Sequence, residues 1–112
     1  MANIIVFMDR DGTITREKGV INHPARLELE PMAGRAIANL NRLGIPVVVI
    51  TNQPGCARGI VSEAVLAETH QRLHQLLRDE HAHVDGIYVC PHLPPEPGAD
   101  GCDCHKPKTC LL

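Results

Sequence analysis

Two acidic residues stand two apart near the N-terminus. Asp9 and Asp11 flank Arg10 in FMDRDGT, directly after the apolar run NIIVFM. Alternate side chains of an extended segment point the same way, so both carboxylates can face one pocket. Such a pair at a strand end suits a hard divalent cation, or a nucleophile working beside a general acid. An Asp-rich turn leaving a strand would look the same locally, so the pair needs context.

A second group lies near the other end, in VCPHLPPEPGADGCDCHKPK, where Cys90, His92, Cys102 and Cys104 precede Lys106. A loop this rich in Pro and Gly buries little apolar surface, so something else must fix its shape. The chain has five cysteines, an odd number that rules out complete internal pairing. Their crowding beside a histidine favours a metal over bridges. Three thiolates and one imidazole suit tetrahedral zinc, and a closed set of four protein ligands is structural rather than catalytic. The C-x-H and C-x-C pairs supply two ligands per arm. Zinc would then replace a hydrophobic core in residues 90–105 and hold Lys106, two positions past the last ligand.

These residues need elements to carry them. NIIVFM is a continuous apolar run, as expected of a strand buried on both faces of a parallel sheet. Residues 14–30 are irregular. Pro31 suits the first turn of a helix carrying Ile37, Leu40 and Leu43, which Gly44 stops. Pro46 opens the strand VVVIT, and NQPGCARG (52–59) is a loop. Ser62 can cap a helix over 63–80, with Val65, Leu66, Leu73, Leu76 and Leu77 facing inward and Glu68, Arg72, Arg78 and Asp79 toward solvent. His70 and His74 on that helix lack a third ligand and carry no site by themselves. GIYVC (86–90) is a third strand. The order β-α-β-α-β implies right-handed crossovers, a doubly wound parallel sheet, and ligands at the carboxyl ends of its strands. All three loops of interest leave from those ends.

Composition limits the options. The chain has 112 residues, 44% of them apolar, enough for one domain with a modest core. The formal charge of −2 and the lack of a basic run argue against nucleic acid. No stretch approaches the roughly 20 apolar residues of a membrane span. One Phe, one Tyr and no Trp leave little surface for stacking on bases or sugars. The expectation is a cytoplasmic monomer with reduced thiols.

Taken in order, DRDGT, VVVITNQ and CDCHKPK resemble the signatures of the haloacid dehalogenase-like phosphatases, and DRDGT…TNQPGCARG…CPH…CDCHKPK is similar to their heptose-bisphosphate and histidinol-phosphate branch. The resemblance spans nearly the whole chain. It implies a three-layer α/β fold in which Asp9 attacks phosphorus and Asp11 acts as general acid, then base. Magnesium would be held by Asp9 and Asp11, the latter through its main-chain carbonyl. Thr51 would donate to a phosphoryl oxygen and Lys106 would offset the crowded negative charge. The same zinc ligands, Cys90, His92, Cys102 and Cys104, are implied. Substrate contacts would come from Arg10, Glu17, Lys18, Gly19, Val20, Asn52, Gln53, Pro54 and His105. In the heptose-bisphosphate enzymes an arginine stands where this chain has His105, which lacks the bidentate fork that suits a phosphate.

The family's fourth signature, an acidic motif after a later strand, has no counterpart before Leu112. The expectation is therefore the N-terminal part of a longer phosphatase, its later strands missing. The leading reading is release of the 7-phosphate from a heptose 1,7-bisphosphate, with histidinol phosphate as the nearest alternative. A polynucleotide 3′-phosphatase is more distant, because the charge is not basic. A reading of another class is a zinc-stabilised, catalytically dead module that binds a phosphorylated metabolite or a partner protein. Turnover with magnesium separates it from the enzyme.

Overall fold

The structure, a computed structural model, describes residues 4–90. Its elements are β1 (Val6–Met8), a single 3-10 turn (Pro24–Arg26), α1 (Ala33–Arg42), β2 (Val47–Asn52), α2 (Glu63–Asp79) and β3 (Gly86–Cys90). The strands form one parallel sheet in the order β1-β2-β3.

That order has a consequence for the layers. Two right-handed crossovers stepping the same way put both helices on the same side. Ile37 and Ala38 of α1, Leu73 and Leu77 of α2, and Val47 and Val49 of β2 accordingly share one buried cluster, joined by Ile14, Ile21 and Leu27 from the first connection. Fully burying each Leu or Ile contributes about 2 kcal/mol. The doubly wound arrangement expected from the sequence needs a reversal of strand order. Among the described residues there is none, and two layers are present, not three.

The strand NIIVFM was expected to be buried on both faces. Met8 does pack on the core, but Ile5 is 54% and Phe7 46% exposed. Phe7 pairs with Val48, on the face opposite Val47 and Val49, and Tyr88 of β3 lies there too, level with Ile50. Among the described residues β1 pairs on one side only, and no helix covers that face.

Helix ends follow local chemistry. Ser62 caps α2, its Oγ accepting from the Val65 amide at 3.1 Å. The chain leaves α2 through His81, at φ 60, an unusual choice for a non-glycine residue. Gly44, at φ 73, ends α1 as expected. Pro31 lies two residues before α1 instead of in its first turn, because Met32 adopts a left-handed conformation (φ 72) and delays the start.

Parallel register aligns the strand ends. Met8 pairs with Val49, and Thr51 and Asn52 pair with Val89 and Cys90. Asp9 is therefore level with Ile50, one step short of Thr51, and all three strands end on one edge.

Candidate active site

On that edge a cavity of about 200 Å³ is lined by Asp9, Asp11, Glu17, Thr51 and Asn52. A larger, mostly apolar hollow of about 680 Å³ is lined by the 56–63 turn, Leu66 and Val89. The groups able to do chemistry line the smaller one.

The turn after β1 is built around the carbonyl of Arg10. It accepts from the amides of Ile14 (3.0 Å) and Thr15 (2.9 Å), and the Gly12 amide bonds the Thr15 carbonyl at 2.7 Å. Gly12 sits at φ 81, a conformation glycine takes without steric cost. Arg10 itself was expected among the substrate contacts. It is instead 1% exposed, with its guanidinium on protein groups. Nε and Nη2 donate to the two oxygens of Asp11, both at 2.9 Å, and Nη1 meets Nε2 of His70 at 3.1 Å.

Asp11 is held from several sides. Besides the arginine fork, Oδ1 accepts from the Thr15 hydroxyl at 3.2 Å and Oδ2 from Gln53 Nε2 at 2.9 Å. The same Gln53 amide donates its other proton to Thr51 Oγ1 at 2.8 Å. The acceptor side of the Thr51 hydroxyl is thus engaged, which leaves its proton to donate. Gln53, expected to touch substrate, links the two catalytic candidates. Asp9 is exposed, and its Oδ1 accepts the Arg10 amide at 2.9 Å.

The segment 17–20 reaches the cavity through Glu17, whose Oε1 accepts from the Gly19 amide at 2.8 Å. Lys18 is turned away from that role by an ion pair with Glu28 at 2.6 Å. Lys18 and Arg16 hold the exposed Glu28 carboxyl below its ordinary range, the Lys18 hydrogen bond most of all. Arg26 ties the segment down through the carbonyls of Val20 (2.8 Å) and Lys18 (3.1 Å). Val20 packs against the 52–59 loop so closely that a Cβ on Gly55 would stand 3.0 Å from its Cγ1. Asn52 lines the cavity, while Pro54 starts a turn, its carbonyl accepting from the Arg58 amide at 3.1 Å.

The set suits magnesium. That ion takes one or two carboxylates plus substrate phosphate oxygens and keeps waters, and Asp9 and Asp11 both line the cavity. For zinc, Cys90 ends β3, fully buried, and its carbonyl accepts the Gln53 amide at 2.7 Å. His92, Cys102, Cys104, His105 and Lys106 lie outside the described residues. Among the described residues no group of three His, Cys, Asp or Glu side chains is placed to hold a metal, and no helix is long and apolar enough to cross a membrane.

Known proteins resemble this chain in sequence and fold. A D-glycero-beta-D-manno-heptose-1,7-bisphosphate 7-phosphatase of Mesorhizobium japonicum is 45% identical over 85 residues, 76% of this chain and 39% of the relative. The Escherichia coli K12 protein of that name is 36% identical over 110 residues, 96% of this chain and 58% of the relative. The D,D-heptose 1,7-bisphosphate phosphatase of B. bronchiseptica, solved with magnesium and phosphate, superposes with a TM-score of 0.84 at 35% identity, covering 93% of this chain and 56% of that one. A Mesorhizobium loti protein described as HAD-like phosphatase gives 0.82 at 38% identity over 94% of this chain and 52% of its own. The chain belongs to the haloacid dehalogenase-like phosphatases. It spans between 39% and 58% of the length of these two curated relatives. No protein-family model matches it.

Within this HAD-like chain one participant escaped the sequence reading. His70 was set aside for want of a third metal ligand, yet it faces Arg10. Its spacing from Leu66, Leu73 and Leu77 places it on the inward stripe of α2, where a buried polar group needs a partner. Burial pushes its pKa down to about 4, helped by the Arg10 charge and His74 and opposed by Asp11. The ring is therefore neutral near pH 7. Since a guanidinium only donates, Nε2 is the acceptor. Arg72, expected to face solvent, also turns inward, its Nε donating to the Leu27 carbonyl at 3.3 Å.

Proposed function

We propose that this chain carries the nucleophile and the acid/base of a magnesium-dependent phosphomonoesterase working through an aspartyl-phosphate on Asp9. The observation that carries the reading is the shared cavity, with exposed Asp9, braced Asp11 and a Thr51 hydroxyl held by its acceptor side. A carboxylate oxygen of Asp9 attacks phosphorus and the alkoxide leaves, taking a proton from Asp11. That residue enters this step as the carboxylic acid, and so with one of the four donors on its oxygens displaced. Asp11 then removes a proton from the water that attacks the aspartyl-phosphate, so phosphate and free Asp9 return. Thr51 donates to a phosphoryl oxygen in both steps, a contact worth on the order of 3 kcal/mol in a partly dry site. Magnesium, when bound, neutralises charge that would otherwise repel the attacking carboxylate. Lys106 would add a second cation.

The substrate proposed is D-glycero-beta-D-manno-heptose 1,7-bisphosphate, with loss of its 7-phosphate. The names and 33–45% identities of the relatives support this choice. Histidinol phosphate stays as the alternative, since His105 replaces the arginine expected for a second phosphate. The remaining proposals are one domain over 1–112, a cytoplasmic monomer, and a structural zinc on Cys90, His92, Cys102 and Cys104. Cys90 would join such a zinc to the backbone that positions Gln53 and Thr51.

The test is phosphate release by the full chain with magnesium from each of the two esters. Faster turnover of the heptose bisphosphate, with the 1-phosphate retained, is expected. Equal failure on both defeats the assignment and favours a non-catalytic module. Metal analysis should return about one zinc per chain; none at all removes the zinc proposal.

A further inference from the structure

Arg10 is 1% exposed and reaches no solvent with its charge. A buried guanidinium is tolerated only when its donors are used. Two of them grip Asp11, and Nη1 goes to His70 Nε2 on α2, sixty residues away in sequence. The fork couples the plane of the Asp11 carboxylate to that of the guanidinium. The third contact ties the same guanidinium to α2. His70 is well suited to it, because its depressed pKa keeps the ring neutral and accepting.

We infer that His70 is a positioning residue: through Arg10 Nη1 it sets the orientation of the Asp11 carboxylate and so the proton transfer to the leaving oxygen. The inference rests on the phosphatase reading above and adds to it a residue on a helix that touches neither substrate nor reacting atoms.

The test separates positioning from mere folding by leaving group. A sugar alkoxide needs a proton as it departs, whereas p-nitrophenolate does not, and kcat/KM reports the phosphorylation half of the reaction alone. In His70→Leu, kcat/KM for the sugar phosphate should fall about tenfold while that for p-nitrophenyl phosphate changes less than about twofold, as expected for one misdirected hydrogen bond. His70→Gln, whose Oε1 can accept in place of Nε2, should restore the ratio. His70→Asn, whose amide stops a bond short, should not, and it serves if the leucine variant fails to fold. Equal loss on both esters, or a glutamine variant no better than asparagine, overturns the inference.

A second readout needs no activity. The Arg10 Nε–H, held on Asp11 Oδ1, should exchange with solvent about tenfold faster in His70→Leu and His70→Asn than in wild type or His70→Gln. Unchanged exchange refutes the brace. If wild type cleaves neither ester, the phosphatase reading fails and with it the proton-transfer role, while the exchange measurement still decides whether His70 braces Arg10 on Asp11.

Discussion

Asp9 and Asp11 are two residues apart and chemically identical, yet the fold treats them oppositely. Asp9 projects from the end of β1 into the open, with the Arg10 amide on one oxygen. Asp11 lies one turn further in, gripped by Arg10, Thr15 and Gln53. On the proposed reading Asp9 is a nucleophile that a bulky phosphate has to reach, so exposure serves it. Asp11 on that reading moves protons and has to be aimed, so bracing serves it. The difference comes from the turn between them: the chain leaves extended geometry at Arg10, whose carbonyl gathers the amides of Ile14 and Thr15.

Substituting each carboxylate breaks the comparison most directly. Asp9→Asn should abolish phosphate release from both alkyl and aryl esters and leave the thermal midpoint near wild type, because an exposed side chain supports little of the fold. Asp11→Asn should cut kcat/KM for the sugar phosphate by about 10²–10⁴, while p-nitrophenyl phosphate loses far less. Steady-state assays of the two variants on both esters decide it. Identical profiles would mean that the two carboxylates do not divide the labour.

Removing the brace itself comes next. Arg10→Met keeps the buried volume but leaves Asp11 and His70 without their shared partner, at a cost of about 3 kcal/mol by urea titration. A loss below about 1 kcal/mol would show that Thr15 and Gln53 hold Asp11 without help. Acid offers a milder probe of the same contact. His70 titrates near 4 in the folded chain against an ordinary 6.5, so between those values the unfolded chain binds more protons. Stability is complete above about pH 6.5 and falls as pH drops toward 4. Moving from pH 7 to pH 5 should cost on the order of 2 kcal/mol. In His70→Gln that part of the slope should vanish, and a slope that persists would assign it to other groups.

Much of this was legible before any coordinates. The strands VVVIT and GIYVC and the Ser62-capped helix were readable because period, length and capping agreed. That Asp9, Asp11 and Thr51 would meet on one edge was readable because all three stand at or just past the ends of strands. What the sequence concealed was direction. Arg10 between two acids reads as a cation for substrate, and only the turn geometry reveals that it points inward. His70 was visible as part of the Leu66, Leu73, Leu77 stripe, but its partner lies sixty residues earlier, and no local pattern encodes that contact. The sheet face bearing Phe7 and Tyr88 was misjudged for a related reason. A β-branched run announces a strand, whereas burial on both sides depends on what else packs there.

The smallest effect probes whether α2 transmits anything to the turn. Ser62 Oγ accepts the Val65 amide, and Ser62→Ala should cost about 1 kcal/mol. The first turn of α2 would fray, while Leu73 and Leu77, fully buried further along, keep the rest docked. His70 lies between these regions, two turns past the cap. If the brace on Asp11 depends on α2 being rigid from its start, exchange at Arg10 Nε–H should quicken along with that at the Val65 amide. If the buried leucines alone hold His70, only Val65 should respond. The packing favours the second outcome, because Thr69, next to His70, is 1% exposed and its hydroxyl bonds the Val65 carbonyl at 2.8 Å. That bond ties the middle of the helix to its first turn from within, so losing the external cap should leave Asp11 aimed as before and Asp9 untouched.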